Sequence, residues 1–105
     1  MNPKIIAVDD DSLTLNAVSL AFAKTEFQLD LAQTAQHCLE LIKQNPVAYS
    51  LVFADHNLEH DTMTGAQLAR EIKEINPAIM VVMVSGDRSE DVLKLWLAAG
   101  VDQFL

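Results

Sequence analysis

Ala78-Ile79-Met80-Val81-Val82-Met83-Val84 is the most apolar run of the chain, nearly unbroken and rich in β-branched residues. A strand with one wet face alternates polar and apolar residues, whereas a strand buried on both faces of a parallel sheet does not. The run therefore predicts a central strand of a parallel sheet, with Met80 and Met83 in its core. Toward the N-terminus, Gly65 to Ile75 reads as a helix ended by Asn76-Pro77. It follows a polar loop from Asp55 to Thr64, the longest connection, and an apolar strand Ser50-Leu51-Val52-Phe53-Ala54. Earlier still, Thr34 to Gln44 carries Leu39 and Ile42 on one helical face before Asn45-Pro46 stops it, and Phe27 to Ala32 alternates Phe27, Leu29 and Leu31 with polar partners. Ile5-Ile6-Ala7-Val8 is a four-residue strand run, followed by a helix from Ser12 to Lys24 in which Leu13, Ala17, Leu20 and Ala21 recur at helical spacing.

Toward the C-terminus, Ser89 to Ala99 reads as a fourth helix, with Leu93, Trp96 and Leu97 at core-stripe spacing and a partner surface as the alternative for Trp96. Gly100 closes it where a left-handed cap needs no Cβ, and Val101 to Leu105 begins a fifth strand. Five strands separated by four helices in strict order predict an α/β fold: an open parallel sheet with helices on both faces. Ligands of such sheets bind at the carboxyl ends of the strands.

Composition narrows the function classes. The 105 residues suffice for one domain, and 7 Lys and Arg against 15 Asp and Glu leave a net charge of −8. That balance argues against binding a phosphate backbone, which needs cations to displace counterions. Charged or polar residues interrupt every apolar run short of the roughly 18–20 residues that span a bilayer. The start lacks a secretory pattern, and the single cysteine, Cys38, cannot form an internal disulfide, so a cytoplasmic setting is expected. Cys38 itself reads as a small helix residue.

At the strand ends the chemistry is coherent. The first strand runs into Asp9-Asp10-Asp11, the third ends at Asp55, and the fourth ends at Ser85-Gly86. Carboxylates gathered on one edge repel and take up protons unless a cation sits among them. Magnesium suits such an oxygen-only set, completed by a backbone carbonyl and waters. The triplet also has a plainer use, with Asp11 or Ser12 capping the helix that follows. Asp55 has no such use, because the next helix begins several residues later.

With these residues in view, the chain resembles the receiver domains of bacterial two-component response regulators from residue 4 onward. The family's acid pair matches Asp9 and Asp10, and its phosphoacceptor matches Asp55 in Leu51-Val52-Phe53-Ala54-Asp55. Its hydroxyl residue matches Ser85 in Ser85-Gly86. Its turn into the last strand matches Gly100-Val101-Asp102, with Phe104 at the switch aromatic. The resemblance implies a flavodoxin-like sheet order 2-1-3-4-5 and a regulatory rather than enzymatic domain. It implies phosphoryl transfer to Asp55 from a sensor histidine kinase or histidine phosphotransfer protein. Mg2+, with Mn2+ as alternative, would be held by Asp9, Asp10, Asp55 and the main-chain carbonyl of Asn57. Ser85 would hydrogen-bond the phosphoryl group and Phe104 would rotate, switching the fourth helix and fifth strand; Asn57 and Asp87 would tune dephosphorylation.

Two departures from the family pattern stand out. The stretch His56-Asn57-Leu58-Glu59-His60-Asp61-Thr62-Met63-Thr64-Gly65 is about two residues longer and lacks a Met-Pro step, leaving an acidic loop whose Glu59 and Asp61 bear on partner choice or are a tolerated insertion. His56 and His60 also raise a transition-metal reading, although a four-residue spacing aligns two histidines only on a helix. The family's lysine, a following proline and a last helix find no match before Leu105. The reading is thus of a receiver cut short of its lysine and last helix, able to self-associate through the uncovered sheet face. Lys4 lies at the wrong end of its strand to replace that lysine, and Arg88 near Ser85 is a poor substitute.

Two other functions remain open. A haloacid-dehalogenase-like phosphatase would use Asp9 as nucleophile in Asp9-Asp10-Asp11 and Val81 to Ser85 as its second motif, but would leave Asp55 idle. A pseudo-receiver would bind partners without phosphorylation.

Overall fold

The computed structural model describes residues 4–55, 63–84, 94 and 97–104; the side chains of Asp55 and Phe104 lie outside that description. The element order is β1 (Lys4–Val8), α1 (Ser12–Phe22), β2 (Gln28–Ala32), α2 (Ala35–Gln44), β3 (Tyr49–Asp55), α3 (Gly65–Ile75), β4 (Met80–Val84) and β5 (Gln103–Phe104). The strands form one parallel sheet in the order β2-β1-β3-β4-β5. The expected flavodoxin-like order is thus observed, with β3 rather than β4 at the centre.

Period-two alternation divides the sheet into two faces. Ile6, Val8, Val52, Ala54, Val81 and Met83 point to the face where α2 and α3 pack, meeting Cys38, Leu39 and Ile42 of α2 and Leu68, Ala69 and Ile72 of α3. On the opposite face α1 lies over β1 and β2, and Phe22 reaches across to Phe53 with ring centroids 6.3 Å apart.

The second face corrects two expectations. Met80 is half exposed at 50%, and Val84 at 44%, while Met83 is fully buried. The run is apolar throughout, yet on this face only its middle residue, Val82, is covered, and the two end positions, Met80 and Val84, stay wet. On α1 the regular stripe is the wrong one for the core: Leu13 and Leu20 are 76% and 77% exposed, and the buried residue is Leu15. Leu97 is likewise exposed, against its expected place in the core. Of the expected fourth helix, residues 94 and 97–99 are helical; Leu93 and Trp96 lie outside the described residues.

Helix ends follow local chemistry. Thr34 accepts from the His37 N–H to start α2. Thr64 and Gln67 form a reciprocal capping box at α3, which satisfies two otherwise orphaned N–H groups. Asn45 and Asn76 end α2 and α3 ahead of their prolines. Gly100 adopts φ +90°, as the left-handed cap requires. Among the described residues no helix is long and apolar enough to cross a membrane.

Candidate functional site at the carboxyl edge

β1 delivers the acid triplet to the edge of the sheet. The Asp9 N–H still donates to Ala32 O at 3.1 Å, one step beyond the strand, so its backbone is held by the β2 side. Its Oδ1 accepts from the Asp11 N–H at 2.9 Å, folding the triplet into a tight turn. Asp11 is the helix cap: Oδ1 accepts from the Leu13 N–H at 3.0 Å and Oδ2 from the Thr14 hydroxyl at 2.9 Å. Capping therefore accounts for Asp11 rather than Ser12, and leaves the Asp10 carboxylate half-buried with no hydrogen-bond or ion-pair partner among the described residues.

Strand register brings the third acid to the same edge. Val8 pairs with Ala54, which makes Asp9 and Asp55 the residues that follow the last paired positions of two neighbouring strands. Asp55 in turn pairs with Val84, after which Ser85 follows in sequence. Among the described residues no group of three His, Cys, Asp or Glu side chains is assembled, the Asp55 side chain not being among them. The donors fit a hard divalent cation: all are oxygens, two of the carboxylates are adjacent in sequence, and one lacks an internal partner among the described residues.

The remaining expected residues divide. Phe104 is in β5, its backbone paired with Met83. Ser85, Asn57, Asp87, His56, His60, Glu59, Asp61 and Arg88 lie outside the described residues.

The opposite, amino edge holds polar clusters that the sequence pattern does not reveal. Lys4 sits there, 3.5 Å from Asp30 and 5.2 Å above the Tyr49 ring, and the Tyr49 hydroxyl donates to Asp30 Oδ2 at 2.6 Å. Burial, then the hydrogen bond to Asp30 and its charge, hold the Tyr49 hydroxyl well above the usual phenol range. Lys73 Nζ lies 2.6 Å from Asp102 Oδ2. Burial alone would raise Asp102, but the hydrogen bonds from Lys73 and Val81 and the ammonium charge bring it below the ordinary carboxylate value. The available signal is a basic residue in the last turn of α3 and an acid after Gly100, 29 residues apart, which no local pattern joins. Cys38 is buried in α2, and that burial pushes its thiol up to about 12.

A parallel sheet in this order, with acids following its first strand and ending its third, defines a doubly wound α/β domain, a fold whose ligand sites generally lie at the strand ends. Residues 5–105 match the family model described as response regulator receiver domain, and the chain belongs to that family. It is a receiver domain of a two-component response regulator, a regulatory module of signal transduction. It is similar to the two-component response regulator ORR5 of Oryza sativa subsp. indica, 27% identical over 98% of this chain and 76% of that protein. Among solved structures, a CheY-like response regulator receiver domain protein from Methanospirillum hungatei JF-1 superposes with TM-score 0.90 at 25% identity, over 100% of this chain and 81% of that one. A BeF3-activated DrrB receiver domain, from a response regulator of Thermotoga maritima, superposes with TM-score 0.82 at 25% identity, over 100% of this chain and 84% of that one.

Proposed function

We infer that Asp55 is the phosphoacceptor of this receiver and takes its phosphoryl group from a phosphohistidine on a sensor kinase or phosphotransfer protein in the cytoplasm. The observation that supports this reading is the register of Val8 with Ala54, after which Asp9 and Asp55 follow on neighbouring strands, together with the Asp10 carboxylate having no partner among the described residues. A carboxylate oxygen of Asp55 attacks phosphorus; the O–P bond forms as the P–N bond breaks, and the electron pair leaves on the imidazole nitrogen, which takes up a proton. Asp9, Asp10, Asp55 and the Asn57 carbonyl are the groups that would hold Mg2+ or Mn2+, which when bound neutralises the phosphoryl oxygens against the acid cluster.

Ser85 donates its hydroxyl to a phosphoryl oxygen, and Asn57 and Asp87 control the approach of water to the acyl phosphate. Phe104 on β5 passes the change to the surface formed with the segment after Ser85. The BeF3-activated state of the DrrB receiver supports the reading, since that anion has the shape and charge of a phosphoryl group. The deciding experiment is intact mass after incubation with Mg2+ and acetyl phosphate. One added phosphoryl group, lost in Asp55→Asn, is the expected result. Loss confined to Asp9→Asn would instead mean the phosphatase chemistry, and no adduct on the unmodified chain would mean a phosphorylation-independent binding module.

A further inference from the structure

We propose that Lys73 is a positioning residue for β5, acting through Asp102 as a latch that sets how firmly the strand bearing Phe104 is docked. β5 is only two residues long, pairing Gln103 with Val82 and Phe104 with Met83. So short a ladder gains little by itself, and Asp102 extends it by other means. The Asp102 N–H donates to Val81 O at 2.9 Å, while its Oδ2 accepts from the Val81 N–H at 2.8 Å, so one residue engages both backbone groups of Val81.

The same Oδ2 accepts from Lys73 Nζ at 2.6 Å. Lys73 also donates to Ile79 O at 2.7 Å and Pro77 O at 3.4 Å. An ammonium has three protons, and these three acceptors use them all, tying the end of α3 to the entries of both β4 and β5. Gly100 completes the fit: a Cβ there would stand 3.2 Å from Lys73 Cγ, so the glycine leaves room for the lysine stem to pass under the chain as it turns into β5.

The latch is remote from the acids. Val81 is three residues from Val84, the partner of Asp55, which is about 10 Å along a strand. Breaking it therefore spares the acid site and the β2-β1-β3 half of the sheet, but lets β5 open locally. Because Phe104 lies two residues beyond Asp102, the population of that opened state sets how strongly a charge change at Asp55 is read at β5. This last step rests on Asp55 being the phosphoacceptor.

The test is amide hydrogen exchange on the full chain with Lys73→Met, which keeps the stem against Gly100 and removes the donors. Exchange at residues 101–104 is expected to rise at least about tenfold while Ile6 and Val52 stay within about threefold. Lys73→Arg should recover most of the protection. Asp102→Asn, which retains an acceptor for Val81, should give a smaller local rise and serves if Lys73→Met does not fold. With acetyl phosphate, Lys73→Met should take up the same amount of phosphoryl group as the parent chain but show a diminished further change in β5 exchange. Equal acceleration in every strand, or unchanged exchange at 101–104, would overturn the latch. Absence of any adduct on the parent chain would sink the phosphoacceptor reading, while exchange without donor would still decide whether Lys73 holds β5.

Discussion

The two edges of one sheet handle charge in opposite ways. At the amino edge Lys4 meets Asp30 and Tyr49, and Lys73 meets Asp102, so opposite charges and donors are closed on one another across elements. At the carboxyl edge acids follow one another along the chain instead: Asp9, Asp10 and Asp11 come after one strand and Asp55 ends its neighbour, with Asp11 consumed as a cap and Asp10 without a partner among the described residues. Paired groups of the first kind hold strands in register. Acids brought to one edge without such partners are what a cation would relieve, which is the basis of the metal site proposed above.

The largest expected way to break this contrast is at Asp10. Asp10→Asn should weaken Mg2+ binding by about tenfold or more, read by titration calorimetry, because a hard cation loses a charged oxygen ligand. It should also raise the metal-free Tm slightly, since one repelling charge is gone, and abolish most of the rise in Tm that Mg2+ is expected to give the parent chain by linkage. A metal-free Tm that falls sharply would show that Asp10 is a staple after all.

A second test sharpens the amino edge through pH. Tyr49 ionises higher in the folded protein than when unfolded, so its contribution is complete below about pH 10 and fades as pH rises toward the folded value. Asp102 ionises lower in the folded protein, so its contribution is complete above about pH 4 and is lost as pH falls through the lowered value. Urea midpoints should therefore fall away on both sides of a neutral plateau. Tyr49→Phe should cost about 1–2 kcal/mol at pH 7 and flatten the alkaline side, while Asp102→Asn should flatten the acid side.

The smallest effect on stability is expected on the other face of the sheet. Leu20→Lys on the exposed stripe of α1 should change folding stability by no more than about 0.5 kcal/mol. If the chain self-associates through α1 and the uncovered part of β4, as its exposed Leu13, Leu20, Met80 and Val84 suggest, the substitution should shift sedimentation toward monomer. A parent chain that is monomeric at high concentration would remove this idea.

Much of the fold and part of the site are legible in the order of the residues. The strand runs, the proline-flanked helix ends and Gly100 are local signals, and local signals place Asp9, Asp10 and Asp55 at strand ends because strands are short and side chains cannot travel. Asp11 is ambiguous in sequence because a carboxylate in that position serves equally as cap or ligand; its bonds to Leu13 and Thr14 decide for the cap. The face of α1 is not legible either. Ser12–Phe22 contains no charged residue, so its apolar period fits a helix without marking which side turns inward.

By itself, then, the sequence determined the alternation of strand and helix, the acids at the strand ends and the family to which the chain belongs. The tertiary structure alone decided that Leu15 rather than Leu13 enters the core, that Met80 stays half exposed, and that Lys73 reaches across to Asp102. The physical reason is range. Backbone propensity and capping act within a few residues, whereas burial and charge pairing depend on which surfaces the sheet brings together.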